Sequence, residues 1–97
     1  MAAQVKTVRV TATGLVSALG TRTNLCGWNL VPGGAAATVE VRDNLDGSGN
    51  PIDALAAILG QSNQGSWAHY AGGGLHFENG VYITLTGAGA AVYLHYI

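Results

Sequence analysis

The feature of this chain that most constrains its fold is a series of short runs in which apolar and polar residues alternate, separated by clusters of Gly, Asn, Asp and Pro. Such alternation is the pattern of a half-buried β-strand, because successive side chains point to opposite faces of a sheet. Ala37, Val39 and Val41, for example, alternate with polar residues. Many such runs at short spacing are typical of a sandwich or barrel. We therefore predict an all-β fold, an antiparallel, jelly-roll-like β-sandwich of seven or eight short strands.

Three parts of this assignment rest on more than simple alternation. Residues 51–59 consist mostly of helix formers, but the stretch is short and lies between two turn clusters. It therefore favours a strand, with a helix of one or two turns as the alternative. Residues 81–86 and 92–96 both alternate and are separated by a Gly-Ala-Gly turn, which predicts a terminal hairpin. Trp28 is expected in the interior.

The length of the chain, 97 residues, leaves room for a single domain. We assign residues 8–97 to one β-sandwich domain and residues 1–7 to an N-terminal arm or strand extension, suited to pairing with the sheet edge of a neighbour. The first residues lack the apolar run of a secretory signal. No stretch reaches the roughly 18 apolar residues of a membrane helix. We expect synthesis without an export signal, followed by assembly.

Charged residues make up 9% of the chain, whereas soluble domains usually carry about 25%. A weakly charged surface suits burial against neighbours, although small polar residues also solvate a surface of this kind. The basic residues are scattered singly, which argues against a nucleic-acid groove and against a polybasic membrane patch. We therefore expect protein partners, and neither nucleic acid nor a membrane.

No motif in the sequence predicts catalysis, a metal site or a cofactor. The loop at residues 43–50 is rich in oxygen ligands, but a calcium-loop register centred on Gly47 places Arg42 at the first ligand position, so a hairpin turn is the better interpretation. There is no Gly-x-Ser-x-Gly elbow, and the glycine-rich loop at 72–74 lacks the lysine of a phosphate loop. Cys26 is the only cysteine, which excludes an internal disulfide and predicts a small buried side chain. We expect a protein that is not an enzyme.

Most aromatic residues, and all three histidines, lie in the final third of the chain. Tyr and Trp are enriched where proteins bury surface against partners, because each offers a large rigid area and one polar group. The histidines are too dispersed to predict a zinc site, and aromatic packing or an interface explains them better. The predicted interface residues are Val5, Trp67, Tyr70, Leu75, His76, Phe77, Tyr93 and His95.

The segment GLHFENGVYITLTG at 74–87, followed by VYLHY at 92–96, resembles the C-terminal end of small proteins encoded in tailed-phage genomes. So does VEVRD at 39–43 followed by DGSG at 46–49. The resemblance covers most of the chain from residue 8 onward. It implies a virion structural protein of the capsid decoration, cement or minor capsid type, displayed on a shell as a symmetric oligomer such as a trimer.

That resemblance also implies partners and a location. The partners would be the major capsid protein or other virion proteins, and the protein would reach the virion after synthesis in the host cytoplasm. It supplies no catalytic residues. The alternative function is a host-surface or carbohydrate-binding module of a tail fibre or head fibre, in which Trp67, Tyr70 or His76 forms a stacking platform.

Overall fold

Two antiparallel β-sheets packed face to face make up the fold in the computed structural model, which describes residues 5–20, 22–57, 66–72 and 74–97. The all-β sandwich predicted from alternation is confirmed. The strands are β1 (Lys6–Val10), β2 (Gly14–Leu15), β3 (Thr23–Val31), β4 (Ala37–Asp43), β5 (Asp53–Ala57), β6 (Ser66–His69), β7 (Leu75–Phe77), β8 (Val81–Thr86) and β9 (Ala91–Tyr96). A turn of 3-10 helix, Ser17–Leu19, follows β2.

Sheet A has the strand order β1-β9-β3-β6, and β7 pairs with β3 beside β6. Both β6 and β7 lie on the same edge of the long strand β3, because β6 pairs with residues 27–30 and β7 pairs with residues 23–25. Sheet B has the order β2-β8-β4-β5. The central pairs are therefore β9 with β3 in sheet A and β8 with β4 in sheet B.

The core lies between the two sheets and is formed by the inward residues of the alternating strands. In β4 and β8 these are Val39, Val41, Val81 and Ile83, each 0% exposed. Trp28 is 1% exposed, as expected from the sequence. The remaining residues that are fully buried are Leu25, Leu30, Phe77, Val92 and Leu94. Alternation thus predicted correctly which side of these strands is apolar.

The predicted terminal hairpin is wrong. β8 pairs with β2 and β4 in sheet B, whereas β9 pairs with β1 and β3 in sheet A. Residues 87–90 therefore cross from one sheet to the other, and Gly87, with φ +112, provides a conformation that other residues rarely adopt. Alternation fixes the buried face of a strand but not its neighbours, so it could not distinguish this crossing from a hairpin.

The stretch 51–59 is a strand where it is described, since β5 pairs along its whole length with β4. The alternative of a short helix is wrong for residues 53–57, and residues 58 and 59 lie outside the described residues. Ala54 and Ala56 favour helices in isolation, but pairing with β4 overrides that preference. The strand count within the described residues is nine, above the expected seven or eight, because β2 is a separate strand of two residues.

Two further expectations concern Cys26 and the N-terminus. Cys26 is half-buried rather than buried, because it occupies a bulge in β3 where the register with β9 shifts between Leu25 and Gly27. At the N-terminus, β1 begins at Lys6, so residues 6 and 7 of the predicted arm pair with β9 of the same chain. Residues 1–4 of that arm lie outside the described residues.

A candidate recognition face on sheet A

The outer face of sheet A collects polar and aromatic side chains from all five of its strands, and we call it face A. The strand registers place these side chains on the same side, opposite to the buried Trp28, Val92 and Leu94. Face A is formed by Thr7, Arg9, Asn24, Gly27, Asn29, Trp67, His69, His76, Tyr93 and His95.

One row of face A runs across four strands in the order Arg9, Tyr93, Asn29, Trp67. Arg9 donates from Nε to the Tyr93 hydroxyl at 3.1 Å, which fixes both side chains along the row. At the other end, Trp67 is 66% exposed. An exposed indole in a row of hydrogen-bonding groups offers a flat surface for contact.

The next row has the order Thr7, His95, Gly27, His69. The His95 ring lies between Thr7 Oγ1, 2.9 Å from Nδ1, and Asn29 Oδ1, 3.2 Å from Nε2. Because the amide oxygen only accepts, Nε2 donates to it, and in the neutral ring Nδ1 accepts from the Thr7 hydroxyl. His95 thereby links β1, β9 and β3 and holds Asn29 in place beside Trp67.

Gly27 is required in this row by the close approach of β6. A Cβ atom at this position would lie 2.9 Å from the Ala68 carbonyl oxygen and 3.1 Å from His69 Nδ1. The absence of a side chain lets the His69 ring lie against β3. The same ring meets Trp67 edge to face, with centroids 5.1 Å apart and an interplanar angle of 66°, a favoured geometry for aromatic pairs.

The corner of face A at β7 is more exposed and carries the remaining histidine. His76 Nδ1 lies 2.7 Å from Asn24 Oδ1, and its Nε2 lies 2.9 Å from Glu78 Oε1. Glu78 also approaches Arg22 at 3.6 Å, with both side chains more than half exposed. Exposed ion pairs of this kind contribute little to stability, so this corner is a solvated edge of the face.

The structure brings four of the predicted interface residues together on face A: Trp67, His76, Tyr93 and His95. Val5 lies just before β1 and is 59% exposed. Tyr70 and Leu75 are half-buried and pack against the core. Phe77 is 1% exposed, so its prediction as an interface residue is wrong; its inward position in β7 makes it a core residue.

Six other members of face A were not among the predicted interface residues: Thr7, Arg9, Asn24, Gly27, Asn29 and His69. Thr7 and Arg9 alternate with Val8 and Val10, a pattern that puts the two polar side chains on one side of a strand. The missing information was strand order, because β1 and β9 are at opposite ends of the chain and β6 joins the sheet through β3. Only the long-range register shows that these residues share one surface.

A polar contact between the sheets lies beneath face A. The Tyr70 hydroxyl, immediately after β6, donates to Asp53 Oδ2 of β5 at 2.5 Å. Burial, together with the neighbouring carboxylate, raises the pKa of Tyr70 well above its ordinary value, and the buried Trp28 indole N–H opposes this shift in part. The Trp28 N–H has no partner of standard hydrogen-bond geometry within the described part of the chain, so its interaction with Tyr70 is a weak one.

This contact predicts a loss of stability in alkaline solution. An unfolded tyrosine ionises near pH 10, whereas folded Tyr70 keeps its proton to higher pH. The folded state then binds more protons than the unfolded state, so the free energy of unfolding falls as the pH rises above about 10. Urea titrations at several alkaline pH values should show a steeper fall for the wild type than for Y70F. Equal slopes for the two proteins would contradict the assigned role of Tyr70.

The loop at residues 44–50 is closed by its own side chains. Asp46 accepts from the backbone N–H of Ser48 at 2.8 Å and from the Ser48 hydroxyl, and these bonds lower the pKa of Asp46. Asn44 donates to the Ser48 carbonyl oxygen at 3.1 Å. The carboxylate of Asp43 is occupied by backbone N–H groups of the β7–β8 turn. These bonds fit the turn predicted from the sequence.

Within residues 5–20, 22–57, 66–72 and 74–97, no group of three or more His, Cys, Asp or Glu side chains is arranged to hold a metal ion. The same ranges contain no helix with the length and hydropathy of a membrane span.

No family model, curated protein or solved structure matches the chain. Fold and face together define a small antiparallel β-sandwich with a preformed polar and aromatic surface.

Proposed function

We propose that this protein is a virion structural component of the capsid decoration, cement or minor capsid type, which binds the assembled shell and stabilises it without catalysing a reaction. The major capsid protein or another virion protein is its partner, and a trimer is its favoured state on the shell. The observation that carries the proposal is that nearly all charged side chains have a hydrogen-bond or ion-pair partner within the chain. The desolvation cost of covering this surface with a neighbour is therefore small.

Every charged side chain except Lys6 has a partner within the described residues. Arg42 contacts Glu40, the Thr84 hydroxyl and the Gly49 carbonyl oxygen, and only 13% of its side chain is exposed. The other partnered groups are Arg9, Arg22, Asp43, Asp46, Asp53 and Glu78. Removing unpaired charges from water is costly, and interface centres are depleted of charged residues. Most charged groups of this chain therefore already have at least one hydrogen-bond or ion-pair partner.

The outer face of sheet B, which we call face B, combines small side chains with polar groups that already have partners. It is formed by Thr38, Glu40, Arg42, Ala54, Ala56, Tyr82, Thr84 and Thr86. Its polar groups bond to one another, since the Thr38 and Thr86 hydroxyls pair and Arg42 contacts Glu40. Ala54 and Ala56 of β5 are small and exposed, and β5 is the last strand in the order of sheet B. We therefore place the shell contact on face B and the edge formed by β5.

The mechanism of stabilisation is mass action. A module that binds the assembled lattice but not free subunits shifts the equilibrium toward the lattice. A trimer that touches several subunits gains from multivalency, so each single contact needs little affinity. Neither step requires a pocket or a reactive group.

Quantitative mass spectrometry of purified virions tests this proposal. The chain should be present at a copy number set by the lattice symmetry, in multiples of three per site. The variant A56K has a lysine in place of the exposed Ala56 of β5. This charge would have to be buried against the shell, so incorporation of the variant into virions should fall at least about tenfold.

The matched control is N50K, which adds the same charge in the exposed loop at 44–50 and should be incorporated like the wild type. Both variants should unfold at the wild-type temperature, because both positions are exposed. Virions that lack the chain would overturn the proposed function. Equal incorporation of A56K and N50K would overturn the placement of the contact on face B.

A further inference from the structure

We propose that face A is a binding site for a short oligosaccharide, which lies across the strands, stacks on Trp67 and extends toward Arg9. This site goes beyond the proposed shell contact, since it uses the opposite sheet. The argument rests on the shape of the row, on the type of groups in it and on their fixed positions.

The row that begins at Trp67 has the length of an oligosaccharide rather than of a single sugar. Trp67 and Arg9 lie on strands separated by β3 and β9. Three strand spacings correspond to about 14 Å. Between the two ends, Asn29 and Tyr93 follow in register, so the row presents a hydrogen-bonding side chain on each intervening strand.

The chemistry of the row matches a sugar, which has an apolar face of C–H groups and an edge of hydroxyl groups. The Trp67 indole, 66% exposed, provides a flat surface for the apolar face. Asn29, Tyr93 and His69 provide planar groups that donate and accept hydrogen bonds. Arg9 uses Nε for the Tyr93 hydroxyl, and its two terminal nitrogens are further donors of the kind that sugar hydroxyl or carboxylate oxygens accept from.

The neighbours of Trp67 favour a sugar over a protein partner. A protein contact of high affinity surrounds an exposed Trp with groups that exclude water, and much of its centre is apolar. On face A the residue beside Trp67 on β3 is Asn29, and the ring packed against it is His69. Val31, 40% exposed, lies one row further along β3 and is the nearest aliphatic side chain of that strand on the same side. Scarcity of basic residues argues against a nucleic-acid strand.

The polar groups of the site are held before a ligand arrives. His95 connects Thr7 to Asn29, Arg9 is bonded to Tyr93, and His69 supports Trp67 at its edge. Preorganised groups lose little conformational entropy on binding, which suits a ligand whose single contacts are weak. A site built on neighbouring strands also keeps its spacing.

The test uses the full chain on a glycan array that carries neutral and carboxylated oligosaccharides of three or more residues. Calorimetry then measures the affinity for the oligosaccharide with the highest signal. W67A should bind it at least about tenfold more weakly, and W67F should be intermediate because its ring is smaller. I52A, which removes another exposed apolar side chain, should bind like the wild type.

Fluorescence provides an independent measurement, because Trp67 is exposed and Trp28 is 1% exposed. Saturation with the bound oligosaccharide should protect the wild type from acrylamide quenching and leave W67F, which retains only Trp28, unchanged. Absence of binding to every oligosaccharide on the array would overturn the site, as would equal affinities of W67A and the wild type. Normal incorporation of W67A into virions would separate this site from the shell contact, whereas loss of incorporation would identify face A as a protein contact and overturn the inference.

Discussion

Replacement of Trp28 with alanine is expected to lower the free energy of unfolding by about 3–5 kcal/mol, which leaves the folded state only marginally stable in water at room temperature. Trp28 is 1% exposed and lies between Ala68 of β6 and Leu94 of β9 in the middle of sheet A. Removal of a buried Trp or Phe side chain typically costs about 3–5 kcal/mol. Domains are stable by about 5–15 kcal/mol, with small ones toward the lower end. The substitution therefore removes much of the available stability.

Far-UV circular dichroism and a two-dimensional NMR spectrum measure this outcome directly. W28F should fold with a lower unfolding midpoint, because it retains a ring in the core. W67A is the matched control, since it removes the same side chain from the surface, and it should fold with nearly the wild-type midpoint. A folded W28A with an unchanged midpoint would show that Trp28 does not hold the two sheets together.

Comparison of Trp28 with Trp67 shows what the sequence predicts and what it does not. Both belong to apolar and aromatic runs, and the length and spacing of those runs predict strands for both. Burial of Trp28 follows from its place in β3, the long strand that pairs on both sides. Exposure of Trp67 follows from its register with Asn29, which sets it on the outer side of β6. Alternation predicts which residues lie on each side of a strand, but only the pairing of strands determines which residues of different strands share a face.

The same limit explains the wrong terminal hairpin. The alternation in β8 and β9 correctly predicts their apolar sides, with Ile83 and Leu94 both 0% exposed. Their neighbours are distant in sequence, since β9 pairs Tyr96 with Lys6 and β8 pairs Ile83 with Gly14 and Val41. No local pattern contains such a pairing, because it depends on the shape of the whole core. Face A shares this dependence, which is why Asn29 and His69 were missed.

The proposed functions use the two sides of the molecule differently. Face B contains small side chains and polar groups that bond to one another, such as Thr38 with Thr86, so covering it leaves few unsatisfied groups. Face A exposes an indole and fixed polar groups, which suits a ligand that itself carries many hydroxyl groups. A decoration protein bound to a shell through one sheet would present the other sheet outward. The shell contact and the oligosaccharide site are therefore compatible within one sandwich.

Replacement of Asp43 with alanine is expected to lower the free energy of unfolding by about 2 kcal/mol. The Asp43 carboxylate accepts backbone N–H groups of the β7–β8 turn, from Glu78 at 3.2 Å, Asn79 at 2.8 Å and Gly80 at 3.4 Å. This turn crosses from sheet A to sheet B, so its donors have no strand partner. Urea denaturation should show a lower midpoint with an unchanged slope.

D43N, which keeps one carbonyl oxygen, should lose less stability. D46A should be nearly neutral, because the exposed Asp46 bonds only within its own loop. If D43A and D46A shift the midpoint equally, the Asp43 carboxylate does not hold the turn that joins the two sheets.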